Sequence, residues 1–106
     1  MVTASQSSAV YNPTVVATSQ QVLPDRSGAL VRTQLVITNT SINGTTKFTM
    51  MKGDSVVTAN QGIVIAAGSA YIESTDAGYL CWQGAVQLIG SDANGTVAIV
   101  ESFIGK

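Results

Sequence analysis

"VRTQLVITNTSINGTTKFTMMK", Val31 to Lys52, is the stretch that decides the fold class. Its opening alternates, with Val31, Thr33, Leu35 and Ile37 on one face and Arg32, Gln34, Val36 and Thr38 on the other. A two-residue period of this kind belongs to a half-buried strand. Asn43-Gly44 follows, the pair that best tolerates the positive φ angles of a tight turn. "KFTMMK" then places Phe48 and Met50 on one side. The pattern predicts a β-hairpin from about Leu30 to Lys52.

The same signals recur in both directions. Downstream, "SVVTA", "GIVIAA", "SAYIES", "GAVQLIG" and "GTVAIVESF" read as strands, punctuated by Gly53-Asp54, Gly62, Gly68, Gly78 and Asn94-Gly95. Asn94-Gly95 predicts a second hairpin, pairing Ala85–Ile89 with Val97–Phe103. Upstream, "TVVATSQQVLP" (Thr14 to Pro24) reads as a first strand closed by Pro24 and the turn-like "PDRSG". Helical periodicity is not sustained anywhere. Seven or eight short strands at this spacing imply one all-β domain, an antiparallel β-sandwich of jelly-roll or Ig-like type over residues 14–106. A small barrel is the other solution. Residues 1–13 are small, polar and aperiodic. They read as an extended, flexible N-terminal arm, either ordered against a partner or frayed without a role.

Composition narrows the function. Of 106 residues, 45% are hydrophobic but only 10% are charged, against the usual ~25%. Twelve Thr and eleven Ser take the place of the missing charges. Hydroxyls and amides cost less to desolvate than charges do, which favours an assembly component. The net charge is −1 and the five cations are scattered, so no electrostatic footprint for nucleic acid is visible. No apolar run reaches the ~18 residues of a membrane-spanning helix. "MVTASQSSAVYNPT" has neither the basic nor the apolar region of a secretion signal, so the expectation is synthesis in a cytosol. On that expectation, Asn39, Asn43 and Asn94, which match the N-glycosylation pattern, read as turns.

Histidine is absent. That excludes His-based triads, cysteine–histidine dyads and the usual zinc sites, and no metal site or cofactor is expected. The single cysteine, Cys81, stands between Leu80 and Trp82 with no nearby cation, and reads as a small core hydrophobe. Glu73 and Glu101 are the carboxylates best placed for glycosidase-type chemistry. Glu101 shares a strand face with Val97, Ile99 and Phe103, where a glutamate more often pairs with an arginine. The chain has only six aromatics with which to line a groove, and the reading is that it is not an enzyme. Tyr71, Tyr79 and Trp82 are candidates for a sugar-stacking platform or a partner contact. The alternative for Trp82 is packing at one end of the sandwich.

The order "LVRTQLVITNTS", "KFTMMKGDSVVTANQGIVIAAGSAYI", "YLCWQGAVQLIG", "GTVAIVESF" resembles small bacteriophage virion proteins. In those, a strand ending ITN-x-S leads to a hairpin, then a GI-x-(I/L)-x-x-G segment, a Gly-Ala-(Val/Ile) strand and a last strand ending near ESF. The resemblance covers about Leu30 to Phe103, while Met1 to Asn12 do not align. It implies a capsid decoration (cement) protein. Such a protein is made in the host bacterial cytoplasm and docks on the major capsid protein at the virion surface, often as a homotrimer. On that implication the arm, through Val2, Val10, Tyr11 and Pro13, grips the capsid or a neighbouring subunit by adding a strand to a sheet edge. The other reading is a carbohydrate-binding module, adhesin or head-fibre domain of a phage particle, using Tyr71, Tyr79 and Trp82.

Overall fold

A computed structural model describes residues 6–26, 30–76 and 79–105. The predicted alternation becomes eight strands: β1 (Gln6–Tyr11), β2 (Gln20–Leu23), β3 (Leu30–Asn39), β4 (Phe48–Lys52), β5 (Ile63–Ile65), β6 (Ala70–Ser74), β7 (Val86–Gly90) and β8 (Val97–Gly105). No helix occurs among the described residues. The strands form two four-stranded sheets, sheet A in the order β1-β8-β3-β6 and sheet B in the order β2-β7-β4-β5. All pairings are antiparallel: β1 with β8, β2 with β7, β3 with β6, β4 with β5, then β3 with β8 and β4 with β7. The first four of these pairings describe one long ribbon folded on itself and wrapped into a roll. Of the two sandwich types expected, this is the jelly roll.

The two predicted hairpins are not hairpins. β3 and β4 lie in different sheets, as do β7 and β8. Gly44 does adopt φ +74°, but the Asn43 side chain accepts hydrogen bonds from the Thr45 and Thr46 amides. The resulting loop carries the chain across the end of the sandwich. Leu35 and Ile37 still meet Phe48 and Met50, but across the core rather than along one sheet. The remaining differences are local. The expected Thr14–Pro24 strand is regular only over Gln20–Leu23. "SVVTA" forms no strand, and Thr58 makes an isolated bridge to Gln61. Within the expected arm, residues 6–11 form β1, hydrogen-bonded to β8.

One parity also changes. Arg32 pairs with Phe103 and Gln34 with Ser102, leaving Thr33 as an extra residue, a β-bulge. A bulge reverses which side chains point inward beyond it. Arg32 is therefore fully buried together with Leu35, Ile37 and Asn39, and Val31, paired with Ile104, points outward. The core joins Leu35, Ile37, Val97 and Ile99 of sheet A to Leu23, Phe48, Met50, Ile65, Val86 and Leu88 of sheet B. Cys81 closes it at one end, with Tyr71 and Trp82 packed against it.

Candidate functional site

Two polar clusters and one sheet face are the features that need a functional account. The first cluster centres on Glu73. Tyr71 and Glu73, two residues apart on edge strand β6, share its inward side. Lys52 reaches in from the end of β4, with Nζ 2.6 Å from Glu73 Oε1 and 5.7 Å from the Tyr71 ring centre. The β6–β7 connection supplies two more donors and β6 itself the last. Tyr79 Oη donates to Oε2 at 2.7 Å, the Trp82 amide donates to Oε2 at 2.6 Å, and the Tyr71 hydroxyl donates to Oε1. The structure thus gathers the three aromatics expected as a platform around one carboxylate, with both phenol hydroxyls turned onto it. The Trp82 indole N–H donates to the Ala85 carbonyl at 2.9 Å. Its ring covers Gly84 so closely that a Cβ there would sit 2.5 Å from the ring. Half of Tyr79 and most of Leu80 remain exposed.

Burial pushes the Glu73 carboxyl up, but the donors from Lys52, Tyr71, Tyr79 and the Trp82 amide outweigh it and hold its pKa at about 2. Glu73 in turn raises Lys52 against the effect of burial. Burial and the Glu73 carboxylate both raise Tyr71. Beside them, burial and the neighbouring Glu73 raise the Cys81 thiol, keeping it protonated. It is 1% exposed and lies 3.8 Å from the Glu73 carbonyl oxygen. A buried protonated thiol is a poor nucleophile.

The second cluster centres on Glu101, which faces inward from β8 and is fully buried. Arg32 Nε donates to Oε2 at 2.6 Å. Arg26 adds Nε at 3.0 Å and Nη2 at 2.7 Å, and Tyr11 Oη completes the set at 3.1 Å. Arg32 also donates to the carbonyls of Trp82, Gly84 and Pro24, while the Gln83 amide clamps both its backbone N–H and its C=O. This one side chain ties β8 to the β2–β3 and β6–β7 connections. Burial raises the Glu101 carboxyl, and the hydrogen bonds from Arg26 and Arg32 more than reverse it, so its pKa is lowered. A glycosidase acid needs a raised pKa, and neither buried glutamate has one. Among the described residues no three metal-ligating side chains cluster, and every buried side-chain N or O has a hydrogen-bond partner.

The arm residues separate. Val2 lies outside the described residues. Val10 points out of sheet A and is 65% exposed, Tyr11 points inward to Glu101, and Pro13 sits partly buried in the β1–β2 connection.

The face to which Val10 belongs was invisible in the sequence. In register, Val10 pairs with Val100, Val100 with Val36, and Val36 with Ile72. A row of four β-branched apolar residues therefore crosses all four strands of sheet A on the outward side, with Ile72 as exposed as Val10. Beside it runs Ser8, Ser102, Gln34 and Ser74, linked by Ser8 Oγ to Ser102 Oγ at 2.9 Å and Ser102 Oγ to Gln34 Oε1 at 3.4 Å. Ala98, Thr38 and Ala70 lie on the far side of the row. Among the described residues the charged side chains of sheet A, Arg32, Glu73 and Glu101, are all buried, and none points outward. Sheet B differs. Its 53–62 loop folds back over the outward side, where Asn60 N donates to Thr49 Oγ1 and Gln87 Nε2 donates to the Gly53 carbonyl. Thr49 and Gln87 are buried as a result.

No protein-family model and no curated protein matches the chain. Among solved structures it is similar to a protein of the Bacillus endospore appendages, described as a novel family of disulfide-linked pili. The identity is 18% and the TM-score 0.66, over 98% of this chain and 88% of that one. The Tobacco streak virus coat protein is more distant, at 12% identity and a TM-score of 0.47, over 95% of this chain and 86% of that one. At 18% identity what the appendage protein shares with this chain is the fold alone.

Proposed function

We propose that this protein is a structural subunit that acts by assembly, specifically as a decoration (cement) protein on a bacteriophage capsid. The observation that carries the reading is the inverted patterning of sheet A, with its charges buried and an apolar row on its bare outward face. Contiguous exposed apolar surface marks interaction sites, and burying the charges of sheet A leaves that surface without a charged group to keep it in water. The two polar clusters fit the same reading, because each ties loops and strands together with every buried side-chain donor and acceptor paired. They stiffen the end of the sandwich and offer no group poised for catalysis. Attachment to the capsid falls in this proposal to the N-terminal segment and the open edge of β1, with the oligomer, a trimer in the resemblance, engaging several sites at once.

The full-length likeness to a pilus protein supports a second reading, a subunit of a fibre or appendage. The chain's lone cysteine is buried, so a fibre of this subunit would be held by surfaces rather than by disulfides between folded copies. Co-sedimentation with capsids of the encoding phage, followed by electron microscopy, tests both readings. Saturable binding to capsids supports decoration, and filaments of the purified protein support the fibre. A protein that neither binds capsids nor forms particles at high concentration overturns the structural role.

A further inference from the structure

We infer that the outward face of sheet A pairs with the same face of a second copy of this chain about a two-fold axis. The inference rests on the assembly reading above and names the surface and its occupant. Three features select a second copy. First, the face carries no charged side chain among the described residues, so its approach to itself meets no like-charge repulsion and buries no unpaired ion. Charge depletion is also the compositional mark of interface cores. Second, the row Val10–Val100–Val36–Ile72 crosses the whole sheet. A two-fold axis lying in the plane of the face and crossing that row at right angles lays the row, reversed, on its own copy, and lays the flanking Ser8–Ser102–Gln34–Ser74 row on its own copy as well. This self-matching is what an isologous contact requires. Third, Ser and Gln side chains flank the row, and in the same contact they can donate to and accept from one another, because a hydroxyl or amide serves either role.

The size of the face sets the strength. From Ala98 to Ile104, β8 runs about 20 Å at ~3.3 Å per residue, and four strands at ~4.8 Å spacing span about 19 Å. The footprint is thus about 400 Å² per copy, below the ~800 Å² per partner of a standard stable interface. The pair therefore forms in a concentration-dependent way, and becomes durable where an array or oligomer supplies multivalency.

Sedimentation of the purified full chain over a concentration series up to ~1 mM, a range that captures weak pairs, tests this. The expected result is growth into species with an even number of copies. Val10→Lys with Ile72→Lys, both at exposed positions, should move the midpoint to at least tenfold higher concentration with an unchanged melting temperature. If that variant misfolds, Ser8→Glu with Ser74→Glu charges the neighbouring row and leaves the apolar one intact. Val56→Lys, on the exposed 53–62 loop, should leave the midpoint where it is. A wild-type chain that stays a single copy throughout, only odd-numbered species, or face variants that associate like wild type would each overturn the pairing. Capsid binding by a chain that does not pair would refute the pairing alone, whereas loss of pairing, capsid binding and filaments together would refute the structural reading as well.

Discussion

Replacing Arg32 by alanine should cost far more stability than replacing Arg26, although both bind Glu101. The Arg32 side chain is fully buried and Arg26 is 23% exposed. Removing Arg32 deletes the 2.6 Å bond to Glu101 Oε2 and leaves the carbonyls of Trp82, Gly84 and Pro24 without its donors. Breaking a buried pair by deleting one partner typically costs about 3–5 kcal/mol, a large share of the ~5–15 kcal/mol that holds a domain together. At about 4–8 °C per kcal/mol, the melting temperature should fall by roughly 12–40 °C. Arg26→Ala removes a partly solvated partner, and Arg32 stays on the carboxylate, so about 1–2 kcal/mol is expected. Urea titrations of the three proteins with matched m-values read the difference directly. Equal losses, or an Arg32→Ala cost under about 1 kcal/mol, would refute the view that Arg32 closes the end of the sandwich.

The Glu73 pKa of about 2 lies below its ordinary value of 4.5, so its contribution is complete above about pH 4.5 and is lost as pH falls toward 2. The interval is worth about 3 kcal/mol, and Glu101, also lowered, acts in the same direction. Unfolding midpoints should drop steeply below about pH 4.5, less so in Glu73→Gln, and a flat wild-type profile from about pH 5 to pH 3 would contradict this. Cys81→Ser puts a hydroxyl in the core and should cost about 1–2 kcal/mol while leaving capsid binding or self-association intact; loss of assembly in a folded variant would show a role for the thiol. At Gly95 an added Cβ would collide with the Thr46 methyl and lie 2.6 Å from Ser41 Oγ, so Gly95→Ala should destabilise by about 1–3 kcal/mol in a melt. A neutral result there would mean that the 91–96 connection relaxes freely.

Strand positions were legible because alternation survives folding. Leu35 and Ile37, Phe48 and Met50, and Val97 and Ile99 each share a strand face in the sequence pattern, and all are core. Which sheet each strand joins was not legible, because a residue pointing into a sandwich has the same period whether its partner lies beside it or across the core. Asn43-Gly44 and Asn94-Gly95 carry hairpin signals, yet both serve connections between sheets, where the chain needs a turn but no cross-strand ladder. The bulge at Thr33 reversed Arg32 with no local signal beyond a charged residue in an apolar strand. The site residues were half legible. Tyr71, Tyr79 and Trp82 do converge, but on Glu73, a pairing that depends on β6 meeting the 79–82 segment. The apolar row at 10, 36, 72 and 100 exists only through the register of four strands distant in sequence.

Thiol labelling of Ile72→Cys tests the central claim, that the outward face of sheet A is covered in the assembled state, most directly. Cys81 is buried and gives a low background, and Val56→Cys, on the 53–62 loop, is an exposed reference. Labelling with a maleimide is compared between dilute protein and the concentrated or capsid-bound form. The account predicts that position 72 reacts fast when dilute and at least tenfold more slowly when assembled, while position 56 reacts alike in both. Equal reactivity of position 72 in the two states would contradict it.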